Sequence, residues 1–352
     1  MHERASFMTG NNGNNGNNGN NGNAGNRGAA GIVGEFGGGW FIEDRFDIPF
    51  VTLPPPIEPE TPPLYDENDY DEFQTRIGGQ IRKNPKTFAE NQWTARWAAW
   101  RVLDPFAHTD WYAVADGPMA SLWQEIDETL TEKELLELAR AARDERPAAL
   151  GQILSEDVEF ITDFMSLLSM TPASHPHTYG LLHIGSQIGS YVALHYKAKE
   201  VWKDKDEKLL DPGPRPRPSQ LLPALMPPVP LPGHPAWPSG HATQARLMAG
   251  CVVLALAAVP MAREGREATS DELLAFLAPE AAPRAGDDLK VTSDDLRVLA
   301  LRIAKNREIA GLHYPSDSRA GRMLADIVLR QLTEIPTFRK VIDAAAKEWA
   351  SS

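Results

Sequence analysis

Apolar residues along the chain recur with the 3.6-residue period of a helix, and the two-residue alternation of a strand is scarce. Between Gln92 and Leu103, Trp93, Trp97 and Trp100 fall at spacings of four and three, which predicts a helix with one buried aromatic face. Thr131-Glu-Lys-Glu134 reads as a capping box ahead of Leu135, Leu136 and Leu138. The pattern predicts further helices over 155–169, 179–202, 240–262, 293–311 and 317–333. The expected fold class is all-α, a helical bundle with short links and a pocket between helix ends.

The pattern is absent from the first part of the chain. Residues 10–23 repeat Asn-Asn-Gly, and 1–39 carry too little apolar content to offset chain entropy, so a disordered tail is expected there. Residues 40–80 are rich in proline and acid, with Pro54-Pro55-Pro56 and Pro62-Pro63, and suggest an extended arm. That leaves 81–352 as one helical domain. Two segments interrupt it. Lys203 to Gln220 ends in Pro212-Gly-Pro-Arg-Pro-Arg-Pro218, whose prolines stiffen the backbone that carries Arg215 and Arg217. Residues 263–292 are polar with Gly and Pro, and read as a surface insertion.

Charge narrows the ligand classes. With 35 Lys and Arg against 48 Asp and Glu, the net charge of -13 argues against general affinity for nucleic acid or anionic membranes. An anionic ligand would therefore need a local basic pocket. Cys251 is the single cysteine, which excludes an intramolecular disulfide or a multi-cysteine zinc site, and its apolar surroundings make it core filler. The apolar runs near 249–262 and 188–196 read as too short or too interrupted to span a bilayer. No basic stretch followed by an apolar core marks the N-terminus, so cytoplasmic residence is expected.

Two clusters carry candidate chemistry. Pro238-Ser239-Gly240-His241 opens a predicted helix, where a hydroxyl and backbone N–H groups can face a tetrahedral anion with an imidazole at hand to move a proton. Far downstream, Arg307, His313 and Asp317 supply a guanidinium fork, a second imidazole and a carboxylate able to orient it. His234 stands five residues before Ser239. His177, His183 and His195 have no such company and read as capped or core residues.

Together these residues resemble the superfamily that joins type 2 phosphatidic acid phosphatases, class A acid phosphatases and vanadium-dependent haloperoxidases. Its pattern runs Lys, six residues, Arg-Pro; then Pro-Ser-Gly-His; then Ser-Arg, five residues, His, three residues, Asp. The second part stands intact at 238–241, and the third has Arg307, His313 and Asp317 in register, with Asn306 where the family has Ser. The first part is ambiguous: Lys208 or Lys197 fits the lysine, and Arg215-Pro216 or Arg217-Pro218 the arginine. The resemblance covers about 190–320.

It implies the acid phosphatase and vanadium haloperoxidase type of helical bundle. In it, Lys208 or Lys197, Arg215 or Arg217, Arg307, Ser239 and the Gly240 N–H hold phosphate or vanadate, and His241 moves the proton. His313 is the nucleophile of the phosphatases or the axial ligand of vanadium, with Asp317 behind it. His234 resembles a histidine of algal bromoperoxidases, so the leading expectation is a vanadate-dependent haloperoxidase using hydrogen peroxide, a halide, bromide first, and an organic substrate. A soluble acid phosphatase acting on a phosphate ester through phospho-histidine is the alternative, and a non-catalytic scaffold the third. Assembly as a homo-oligomer stays open.

Overall fold

A computed structural model describes residues 94–199, 202–203, 209–210, 214–277 and 293–350. The expected tail at 1–39, most of the domain boundary region, Trp93 and Lys208 lie outside the described residues, as does the arm at 40–80. Apart from one two-residue antiparallel pairing of Trp202–Lys203 with Leu209–Leu210, the regular elements described are helical, and the fold is all-α in that sense.

In chain order the helices are α1 (Ala95–Ala98), α2 (Trp100–Ala107), α3 (Trp111–Gln124), α4 (Glu128–Asp144), α5 (Arg146–Val158), α6 (Ile161–Leu168) and α7 (Pro176–Lys197). They continue with α8 (Pro218–Leu221), α9 (Gly240–Ala257), α10 (Val259–Arg263), α11 (Ser270–Phe276), α12 (Ser293–Ile309), α13 (Pro315–Leu332) and α14 (Pro336–Ala350). Helix α9 is the axis of the bundle, buried on nearly every face, and α7, α12, α13 and α14 pack around it. A helix apolar on all sides belongs in the middle of a bundle. The stretch Gly240–Arg263 is in fact long and apolar enough to cross a membrane by length and composition, contrary to the expectation from sequence, and 72% of its 18-residue apolar window is buried inside the protein.

Small residues let α7 approach α9 closely. A Cβ at Gly189 would stand 2.7 Å from the Gln244 Cα, so only glycine permits this crossing. Beside it the Gln244 side-chain amide donates to the carbonyl and hydroxyl of Ser186, at 3.2 and 3.1 Å. Two apolar cores flank α9. One gathers Phe106, Trp111, Ile188, Leu247, Leu324 and Phe338; the other gathers Phe160, Phe164, Leu182, Val252, Leu296 and Ile303. Cys251 is buried in the first, where desolvation pushes its thiol pKa up, as core filler should behave.

Several local expectations change. The aromatic face predicted near 92–103 is not a buried stripe: Trp97 is 51% exposed, and Ala99, Val102, Leu103 and Phe106 carry the burial instead. The assigned helix is interrupted at Ala99, although that residue keeps right-handed helical dihedrals. Residues 155–169 divide at Glu159 and Phe160 into the end of α5 and α6. Asp127 caps α4, its carboxylate accepting from the Leu130 N–H at 2.7 Å, so Thr131-Glu134 lies inside the helix and is no capping box. Within 263–292, α11 buries Leu273 in the first core, so this segment is more than surface decoration. Helices α3 and α14 fall outside the expected helical segments, although Phe338, Ile342, Ala345 and Ala346 give α14 a buried face at helical spacing.

Candidate active site

The site forms where two helix starts meet. Ser239 caps α9, accepting from the Ala242 N–H at 3.3 Å, while its own N–H donates to the Asp317 carbonyl at 3.0 Å. That bond ties Pro238-Ser239-Gly240-His241 to the first turn of α13. Gly321 makes the approach possible, because a Cβ there would lie 2.6 Å from the Ser239 carbonyl oxygen and 2.9 Å from Thr243 Oγ1. Helix α12 delivers Arg307, and the turn after it, closed by the Leu312 N–H on the Arg307 carbonyl at 3.1 Å, brings His313 back to the start of α13.

His313 is buried between two fixed partners. Its Nδ1 faces Asp317 Oδ2 at 3.3 Å, and its Nε2 faces Arg217 NH1 at 2.9 Å. A guanidinium only donates, so Nε2 presents a lone pair, and the proton sits on Nδ1 toward the carboxylate. Asp317 Oδ2 also accepts from the Tyr314 N–H at 2.9 Å, which holds the carboxylate in place. Burial, then the cations Arg217, Lys197 and Arg307, hold the His313 pKa well below the ordinary imidazole value, so the ring is neutral.

Three buried cations converge here. Arg217 is the hub: Nε donates to the His234 carbonyl at 3.1 Å, NH1 to the Leu312 carbonyl at 2.9 Å, and NH2 lies 3.0 Å from His234 Nδ1. Lys197, at the end of α7, donates to the carbonyls of Pro235 and Ala236 at 2.7 and 3.2 Å. Arg307 NH2 donates to Asp157 at 2.7 Å, while its Nε and NH1 are buried without a hydrogen-bond partner. Of the three, only Arg307 has a carboxylate within ion-pair distance among the described residues. Desolvation is the largest cause lowering each pKa, with Arg217 brought down to about 9.

The remaining imidazoles are neutral too. His241 is buried against Phe160, with its Nε2 unpartnered. Burial, then Arg307 and His313, push its pKa well below the ordinary value. His234 is lowered to about 2 by burial, Lys197 and Arg217. By contrast His183 sits edge-on to Tyr179 and His195 packs against Trp111 and Tyr112, while the exposed His177 offers its backbone N–H to Glu348.

Of the residues expected from sequence, Lys197, Arg217, His234, Ser239, Gly240, His241, Arg307, His313 and Asp317 are brought together. Arg215 differs. Its NH1 reaches Asp317 Oδ1 at 2.5 Å and its NH2 reaches Glu134 at 3.1 Å, so it braces a carboxylate instead of facing an anion. The alternating prolines explain the split, since Arg217 has polyproline-type dihedrals and residues two apart on such a helix of three residues per turn point to different sides.

Sequence reading missed the carboxylates behind these groups. Glu134, Glu156 and Asp157 are almost fully buried. Both Glu156 oxygens accept from the Asn306 amide at 2.9 Å, which gives Asn306 a buried partner. Burial raises the Glu156 pKa to about 7. A signal existed for this pair: acids in the last turn of a helix oppose its dipole and call for a cation.

Compared with protein-family models and with curated protein sequences, the chain matches none.

Proposed function

We propose that the protein is a vanadate-dependent haloperoxidase-like enzyme on the helical bundle of the acid phosphatase and vanadium haloperoxidase type. The observation that carries this reading is a pair of buried cations, Lys197 and Arg217, with no carboxylate in ion-pair range among the described residues, set around the lone pair of a neutral His313. Buried cations are stable when paired, so this arrangement favours a bound oxyanion.

The donor set fits vanadate. His313 Nε2 would hold the group through its lone pair, and Lys197, Arg217 and Arg307 would neutralise its charge, with Ser239 and the Gly240 N–H completing the cradle. Bound vanadate supplies a centre that activates hydrogen peroxide for the oxidation of a halide, bromide in the first instance. The chain does the rest. Arg217 releases Nε2 as its donors turn to the anion, Asp317 keeps the proton on Nδ1, and the unpartnered donors of Arg307 accept negative charge. His241 Nε2 is placed to receive or return a proton, because an anion beside it offsets the cations that depress its basicity. His234 is neutral and hydrogen-bonded to Arg217, and by its resemblance to the bromoperoxidase histidine it would serve the halide and peroxide.

A soluble phosphomonoesterase is the second reading, favoured by the unprotonated Nε2 of His313, which accepts from Arg217 until an anion draws that guanidinium away. Its Nε2 would attack phosphorus as the ester P–O bond breaks, His241 would protonate the leaving alkoxide, and water would then cleave the phospho-histidine. The two are separated by assaying bromination of a phenolic dye with vanadate, peroxide and bromide against hydrolysis of an aryl phosphate without vanadate. Vanadate-dependent bromination is expected. A robust phosphatase that vanadate only inhibits would move the assignment to the second reading. His313→Ala is expected to abolish either activity while leaving the fold intact, and undiminished turnover in that variant overturns both.

A further inference from the structure

We infer that Glu134 is a positioning residue for His313, acting through Arg215, Ser316 and Asp317; this rests on the reading of His313 as the group that engages the oxyanion. Glu134 lies in the interior of α4, more than 170 residues before the histidine it would serve, and is 4% exposed. One carboxylate oxygen accepts from the Ser316 N–H at 2.7 Å; the other accepts from the Ser316 hydroxyl at 2.7 Å and from Arg215 NH2 at 3.1 Å. Glu134 thus satisfies an N–H of the first turn of α13 and also anchors Arg215.

Arg215 passes the constraint on. Its NH1 donates to Asp317 Oδ1 and to the Ser316 hydroxyl, and its guanidinium lies 3.9 Å over the Tyr314 ring. With Oδ1 so occupied, Asp317 is left with Oδ2 for the Tyr314 N–H and for His313 Nδ1. The carboxylate of Glu134 therefore fixes the rotation of the Asp317 carboxylate, and through it the tautomer that leaves Nε2 unprotonated. Glu134, Arg215 and Ser316 make no hydrogen bond to Lys197, Arg217 or Arg307, so altering Glu134 acts first on the Asp317 side of His313 and leaves those three cations in place for the anion.

That separation gives the test. Orthophosphate binding is measured by calorimetry, the His313 ring by 15N-edited NMR for its hydrogen-bonded Nδ1 proton, and turnover with whichever substrate the unaltered protein accepts. In Glu134→Gln, phosphate affinity is expected to stay within about threefold, kcat to fall about tenfold or more with KM little changed, and the Nδ1 proton signal to broaden or vanish. Ser316→Ala removes only the bridging hydroxyl and should show the same split more weakly, which keeps the test decisive if Glu134→Gln folds poorly.

Unchanged kcat and an unchanged Nδ1 proton in both folded variants overturn the inference. So does an equal loss of affinity, turnover and thermal stability, which marks a purely structural role. Failure of the underlying reading looks different: the unaltered protein binds no phosphate, or Arg217→Ala binds it as well as the parent does.

Discussion

Arg215 and Arg217 stand two positions apart in a proline-bound segment and have different work. Arg217 spends its donors on His313, His234 and carbonyls, with no carboxylate in ion-pair range among the described residues, whereas Arg215 is ion-paired to both Asp317 and Glu134. Replacing Arg217 with Gln should weaken orthophosphate or vanadate binding by about ten- to a hundredfold, the range expected for losing a charge-assisted contact worth about 1.5 to 3 kcal/mol. Calorimetric titration reads this directly, and a Kd within threefold of the parent would contradict the placement of Arg217. Arg215→Gln leaves two buried carboxylates without their shared cation, so it should cost about 3 kcal/mol or more of stability, seen as a lower urea midpoint.

At the scale of elements, the site depends on how closely α9 and α13 can approach. The bond from the Ser239 N–H to the Asp317 carbonyl spans the crossing, and Gly321 faces backbone there with no room for a methyl group. Gly321→Ala should force the helices apart and cost about 1 to 3 kcal/mol, as overpacking of a close contact does. Because the Ser239 cap would separate from the turn that holds His313, phosphate affinity should fall with stability. A variant with parental melting temperature and affinity would show that the contact relaxes without consequence. Gly189, pressed against the Gln244 backbone on the other side of α9, obeys the same constraint and needed no chemistry to be retained.

For the whole molecule, the buried imidazoles set the response to pH. His183, His234, His241 and His313 all have pKa values held below the ordinary 6.5, burial being the largest cause, with His183 at about 3 and His234 at about 2. Below about pH 6.5 the unfolded chain binds these protons and the folded chain does not, so each withheld proton costs up to about 1.4 kcal/mol per pH unit of acidification. Glu156, raised to about 7, and Glu308, also raised, act the other way, since the folded state binds their protons first. With His195, which burial also lowers, five groups oppose two, and the net sign is loss of stability in acid. Urea midpoints at pH 7.5 and 5.5 should therefore fall, and bound phosphate should reduce the loss by supplying the charge that lets His241 accept a proton. A midpoint that holds or rises on acidification contradicts this balance.

The sequence by itself determined the all-α class, because apolar periodicity is a local property, and it picked out His234, Ser239, His241, Arg307, His313 and Asp317 as a group because they sit in short, spaced motifs. It did not separate Lys197 from Lys208, or Arg217 from Arg215, since either member of each pair satisfies the spacing. Tertiary structure placed Lys197 against the Pro235 and Ala236 carbonyls and turned the two arginines to different partners, while Lys208 falls outside the described residues. Glu134 was legible only as a helix-capping acid, and Asp157 as one acid among many. What makes them different is burial beside a cation brought from 81 and 150 residues away; the place of Asp157 against the dipole in the last turn of α5 is a faint local trace of such pairing, and Glu134 inside α4 carries none.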